Sequence, residues 1–209
     1  NPLNGTVVAT IRVGAQPYAV ACGLVSDADA WVSNYGDNSV SLLNLHTYTV
    51  TRTIPNVPGS RSLHGINTLF FGPGQGEAWV AGTDANLVTR LSLDTFAPLG
   101  ALPIPAPTSV TFSSAPAGTV GGVASTLGNT VTSIYVAGLT VVAAPQVPTP
   151  LDLIPHPFPR TGEYIASTGP ANSIAWIVGN TATLIPGVPG ATGLAGGSFT
   201  NSNPVRPNV

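Results

Sequence analysis

The chain has 209 residues, 43% of them apolar and only 7% charged, and its formal net charge is −2. Six Arg scattered along the chain form no stripe able to neutralise phosphates, which excludes the usual nucleic-acid binders, and the apolar content excludes disorder. No apolar run reaches the roughly 18 residues a spanning helix needs, so membrane insertion is not expected.

Taken from the N-terminus, residues 5–14 (GTVVATIRVG) read as the outer strand of a β-unit. A strand opened by Pro17 (PYAVAC) follows, then the hairpin WVSNYGDNSVSLLNL at 31–45, then the strand TYTVTRTI. The order recurs as LHGINTLF from Leu63, WVAGTDANLVTRLSL at 79–93 and TFAPLGALPI. It recurs again as PTSVTF from Pro107, GVASTLGNTVTSIYV at 122–136 and LTVVAAP, and a last time as YIASTGPANSIAWIV at 164–178 and TATLIPGV. Each hairpin pivots on an Asn, at Asn38, Asn86, Asn129 and Asn172, in steps of 48, 43 and 43 residues. That is the period of a four-stranded propeller blade. Two residues after each Asn stands a β-branched side chain (Val40, Val88, Val131, Ile174), and five after stands a large aliphatic (Leu43, Leu91, Ile134, Ile177). Asn suits the bend because it tolerates positive φ and bonds to nearby backbone. Four short strands per unit, no helical period, and 24 Gly with 21 Pro give an all-β chain.

The expected fold is an all-β β-propeller of about four four-stranded blades in one domain over 1–209. Its units fall at about 15–55, 58–104, 105–147 and 148–189, and 190–209 is a tail or the start of a further blade. Four blades stand at the low end of what closes a ring, so the chain is expected to be part of a larger or irregular one. The absence of an initial Met is expected to reflect removal of a signal peptide or of a larger upstream part.

The run VVATIRVGAQPYAVACG followed by WVSNYGDNSVSLLNL resembles the YVTN β-propeller repeat, most closely over 7–104. The resemblance implies a propeller fold. It also implies kinship with propeller enzymes of the lactonase and quinoprotein dehydrogenase kinds. The family carries Asp six residues after the anchor Asn; here those positions are Asn44, Ser92, Tyr135 and Val178, so strand-turn hydrogen bonding must differ.

Candidates for chemistry are few. His46, His64 and His156 are far apart and lack metal-ligand spacing, so no metal and no cofactor is expected. In the repeat alignment His64 falls level with Tyr18 and Thr108, at the starts of the innermost strands that line a propeller's channel. Tyr18, Arg61, His64 and Thr108, with Leu151, are therefore expected to form a polar ligand-binding rim. Asp27, Asp29 and Asp37 read as turn residues rather than a calcium loop. Asp94, Asp152, Glu77 and Glu163 have no evident acid–base pairing, and Glu77 and Glu163 are expected on solvated hairpins. Residues 72–76 (GPGQG) lack the Lys-Ser/Thr of a phosphate loop. Trp31, Trp79 and Tyr164 align at the starts of second strands and are expected to pack between blades, and Cys22 is expected to be buried and inert. Asn4-Gly5-Thr6 fits a glycosylation acceptor.

Residues 95–151 and 164–205 hold no charged side chain, and such a surface has little repulsion to keep molecules apart. The functional expectation is a non-catalytic extracellular, periplasmic or cell-surface module. It would present a rigid face for protein assembly or ligand binding, with other subunits or copies of itself as partners. The alternatives are a propeller enzyme of the kinds named above and an accessory subunit of a redox or photosynthetic complex.

Overall fold

The computed structural model describes residues 4–26, 28–66, 76–115, 118–155, 163–168, 173–189, 191 and 194; the side chains of 62–66, 114–115 and 163 fall outside that description. Asp27, His156, Asn172 and residues 72–75 of the Gly-rich stretch thus lie outside the described residues.

Among the described residues sixteen strands form four separate antiparallel sheets, each a simple meander. The first holds β1 (Pro17–Cys22), β2 (Asp29–Asn34), β3 (Ser39–Asn44) and β4 (Thr49–Ile54). The second holds β5 (Ser60–Ile66), β6 (Glu77–Gly82), β7 (Leu87–Ser92) and β8 (Pro98–Pro103). The third holds β9 (Pro107–Ala115), β10 (Gly118–Ser125), β11 (Thr130–Tyr135) and β12 (Thr140–Ala143). The fourth holds β13 (Asp152–Pro155), β14 (Glu163–Thr168), β15 (Ser173–Val178) and β16 (Thr181–Pro186). The innermost strands stand side by side, β1 against β5, β5 against β9 and β9 against β13. These are four consecutive blades of a β-propeller. Among the described residues no comparable packing brings β13 round to β1, so the blades make an open arc.

The core is divided among the spaces between blades. Trp31, Val40, Leu42 and Ile54 of blade 1 meet Ala78, Val80, Leu91 and Leu93 of blade 2. Trp79, Ala81 and Val88 of blade 2 meet Val110, Phe112, Val123 and Ile134 of blade 3. Val120, Ala124 and Val131 of blade 3 meet Leu153, Tyr164, Ala166, Ala175 and Ile177 of blade 4. Strand alternation produces this: successive residues of the two central strands face opposite neighbours, so both faces must be apolar.

In each of the first three blades the anchor Asn clamps the blade to the connection leading into the next. Asn38, Asn86 and Asn129 all lie in the left-handed region, at φ 52°, 54° and 48°. Their Oδ1 atoms accept from Gly59 N (2.8 Å), Ala106 N (2.9 Å) and Thr149 N (2.9 Å). Their main-chain carbonyls accept from Val57, Ile104 and Val147, whose side chains plug the three interfaces. The Asp of the YVTN pattern has substitutes in the first two blades. Asn44 Oδ1 accepts from His46 N and Thr47 N, and Ser92 Oγ accepts from Asp94 N and Thr95 N.

Several expectations need correction. The fourth hairpin carries one more residue between its aromatic and its Asn, so Ile165 rather than Tyr164 is level with Trp31 and Trp79. Tyr164 therefore points back to blade 3, where it fills the space left by Gly122; a Cβ there would lie 2.7 Å from its ring. Cys22, at the end of β1, is exposed. Strand β5 starts at Ser60, before Leu63, which moves the alignment of the inner strands. Glu77 is not a solvated hairpin residue. It makes a two-pronged ion pair with Arg90 (2.8 and 2.5 Å) and accepts from Trp79 Nε1 at 3.0 Å, locking the indole in place. Asp29 does the same for Trp31 in blade 1, at 2.7 Å.

Candidate functional site at the channel mouth

The inner strands of the first three blades share a β-bulge at their second residue. The register skips Tyr18 in β1, Arg61 in β5 and Thr108 in β9. A bulge re-aims the extra side chain out of the ladder, here at the end of the sheet where the β2–β3 type of hairpin also turns. Tyr18, Arg61 and Thr108 are thus equivalent, and Leu151, just before β13, continues the series. His64 is not part of it. It pairs with Trp79 three residues further along β5, level with Ala21, Thr111 and Ile154, and its side chain lies outside the described residues.

Arg61 is the centre of the cluster. Its guanidinium carbon sits 4.6 Å from the centroid of the Tyr35 ring and 5.7 Å from that of Tyr18, and the two rings are 6.4 Å apart. Its Nη2 donates to Tyr35 Oη and pairs with Asp84 Oδ2, both at 3.2 Å, and Tyr35 Oη donates to the same carboxylate oxygen. Arg61 Nε is buried and meets no partner among the described residues. The hydrogen bond with Tyr35 raises the Arg61 guanidinium above its ordinary range, against the cost of desolvation, and the Asp84 charge adds to it. The hydrogen bond from Tyr35 likewise holds the Asp84 carboxyl below the usual range, and the Arg61 charge acts in the same direction. Both groups therefore stay charged around neutral pH.

Thr108 lies elsewhere on the rim. Its hydroxyl donates to Pro150 O at 3.0 Å, as does that of Thr126 at 2.9 Å, while Thr83 reaches Pro107 O at 2.7 Å. Thr83 and Thr126, each three residues before an anchor Asn, tie one blade to the next. At the first junction the same position is Tyr35, and the short tie is replaced by the aromatic and ionic cluster. Tyr35 and Asp84 were not singled out from sequence; the signal was present in the alignment, where Tyr35 stands against two threonines. The structure brings Tyr18 and Arg61 together and leaves Thr108 in the blade 3–blade 4 junction.

The remaining acids have local duties. Asp37 accepts from Ser39 Oγ and Ala15 N, and Asp29 also caps the turn before β2 through Val25 N and Ser26 N. Asp152 accepts from Ser109 Oγ, Leu153 N and Leu194 N. Asn4 is exposed, with its Oδ1 accepting from Thr6 N and Oγ1. His46 is exposed at a turn. Among the described residues no three His, Cys, Asp or Glu gather as metal ligands do.

No protein-family model matches the chain, and no curated protein matches it. Solved structures do. A streptogramin B lyase superposes with TM-score 0.67 at 16% identity, covering 83% of this chain and 55% of that one. Hydrazine synthase of Kuenenia stuttgartiensis gives 0.66 at 16% identity, covering 88% and 52%. Virginiamycin B lyase from Staphylococcus aureus gives 0.63 at 19% identity, covering 82% and 56%. At such identities the likeness establishes the propeller fold, and the chain spans little more than half the length of these neighbours.

Proposed function

We propose that the chain is a non-catalytic interaction module of the YVTN type, working outside the cell, in the periplasm or at the cell surface. Its rigid propeller mouth would take up a protein partner around Arg61. The observation that carries this reading is the Tyr18–Arg61–Tyr35–Asp84 cluster. Two aromatic rings and an arginine are the side chains that most often dominate binding energy at interfaces. Tyr18 is 61% exposed and offers its ring to a partner, while its neighbours hold Arg61 in place beforehand, which lowers the ordering cost of binding. Arg61 and Asp84 are both held charged, which suits recognition and gives neither a role in shuttling protons near neutral pH.

The test is binding of peptides selected from a random-sequence array, measured for the wild-type chain and for Arg61→Ala and Tyr18→Ala. Each variant should weaken binding by about ten-fold or more, the loss of one interface hot spot, with the thermal midpoint kept. Equal binding by all three, or no peptide bound, overturns the reading.

A second reading, a propeller enzyme, is favoured by the likeness to the streptogramin B and virginiamycin B lyases. Disappearance of streptogramin B on incubation with the chain, abolished by Arg61→Ala, would favour it over the first.

A further inference from the structure

We infer that Asn4 is a glycosylation site: its Nδ2 atom takes an oligosaccharide when the chain is exported through a compartment holding such a sugar on a lipid diphosphate. The inference takes from the reading above only that the chain works outside the cell, and it does not depend on the mouth cluster. Asn-x-Ser/Thr, with x other than Pro, is the acceptor pattern for this modification. Asn4-Gly5-Thr6 meets it, and no other Asn of the chain has Ser or Thr two residues on. Unlike Asn38, Asn86 and Asn129, whose side chains clamp the blades, Asn4 has no duty between sheets.

The local geometry suits transfer. Asn4 and Gly5 make an exposed turn, and Gly5 takes φ 68°, in the left-handed region that favours glycine. The turn folds Thr6 back, so that Thr6 N and Oγ1 both donate to Asn4 Oδ1, at 3.2 and 2.8 Å. Two donors on the carboxamide oxygen draw electron density away from Nδ2 and make its protons easier to remove. Nδ2 itself has no partner among the described residues. In the transfer, Nδ2 forms a bond to C1 of the sugar. The bond from C1 to the lipid diphosphate oxygen breaks and its electron pair leaves with the diphosphate. One Nδ2 proton passes to a base of the transferring enzyme.

Folding leaves the acceptor open. Val7 is 81% and Val8 60% exposed, and residues 7–14 make no hydrogen bond among the described residues. No strand described here therefore closes over the turn. A bulky hydrated group on Asn4 would stand beside these two valines and supply solvation, in a chain with only 7% charged residues.

The test is the intact mass of the full chain exported from a eukaryotic cell behind a cleavable leader. The wild type should be heavier by one oligosaccharide, and peptide-N-glycosidase should remove the excess and convert Asn4 to an aspartate. Asn4→Gln, Gly5→Pro and Thr6→Val should each be exported at the bare mass, while Thr6→Ser should keep the sugar on part of the molecules. Arg61→Ala should be glycosylated like the wild type, which separates this result from any failure of the mouth reading. Since the added leader carries the chain out, a native chain found inside its cell would count against the location proposed above and leave this result standing. An exported wild-type chain at the bare mass, or an excess mass that Asn4→Gln keeps, overturns the inference.

Discussion

At the scale of single residues, the four-fold recurrence of Asn has a cause that propensity alone does not supply. An asparagine at a hairpin bend is unremarkable, but Asn86 also reaches across to Ala106 N and so fixes where the next blade begins. Two properties are combined in one side chain, tolerance of φ 54° and an acceptor at amide length. Asn86→Ala loses both and should destabilise the chain by about 2 kcal/mol in urea unfolding. Asn86→Gly regains the backbone freedom and should recover part of that. If both variants unfold with the wild type, the clamp contributes nothing. The acids give a second expectation. Asp37 is held below its ordinary pKa, first by the Ser39 hydroxyl and then by Ala15 N, and Asp84 first by Tyr35. A carboxyl depressed in the folded state adds stability above its unfolded pKa of about 3.9, and that stability is lost as pH falls through the folded value. The thermal midpoint should hold from neutral pH to about 4 and fall below it. The fall should be shallower in Asp37→Asn and Asp84→Asn; an equal slope in all three would show that these hydrogen bonds do not carry the linkage.

At the scale of elements, each space between blades takes one large ring from the second strand of a blade, and the direction from which that ring comes changes along the chain. Blades 1 and 2 send Trp31 and Trp79 forward. Blade 3 has Gly122 at that position, and blade 4 sends Tyr164 back to fill it. The hydroxyl of Tyr164 donates to Val120 O at 3.3 Å, and burial pushes its pKa up. The pair should be coupled. Gly122→Ala places a methyl against the Tyr164 ring and should cost about 1–3 kcal/mol, while Tyr164→Leu leaves space and also destabilises. Together they should cost less than the sum of the two, measured as a double-mutant cycle; strict additivity would mean that the ring and the glycine do not share a space. This exchange shows how far sequence could reach. The period, the strands and the Asn bends were legible because they recur at fixed spacing. The facing of Tyr164 was not, since one extra residue between the aromatic and the bend puts that aromatic on the other face of its strand, while positions counted from the Asn keep theirs. The same limit moved the rim. The bulge in β5 promoted Arg61 to the position His64 held by simple counting, and Tyr35 and Asp84 joined it from neighbouring hairpins. Cys22 was placed inside by its apolar surroundings in sequence, yet β1 is an inner strand whose end stands open.

At the scale of the whole molecule, stability comes from nearest neighbours, because each core cluster joins only two adjacent blades. Blades 2 and 3 have a blade packed on each side, and blade 4 packs on blade 3 through Tyr164, Ala166, Ala175 and Ile177, with no further sheet against it among the described residues. Its outer strand β16 is mostly exposed, and residues 7–14 at the other end have no hydrogen bond among the described residues. In a nearest-neighbour array the ends open first, and local opening is what amide exchange reads. For the dilute single chain, amides of β6, β7, β10 and β11 should exchange slowest, those of β14 and β15 faster, and those of residues 7–14 without measurable protection. Uniform protection across all four blades would contradict the nearest-neighbour account, because inner and terminal blades would then open together.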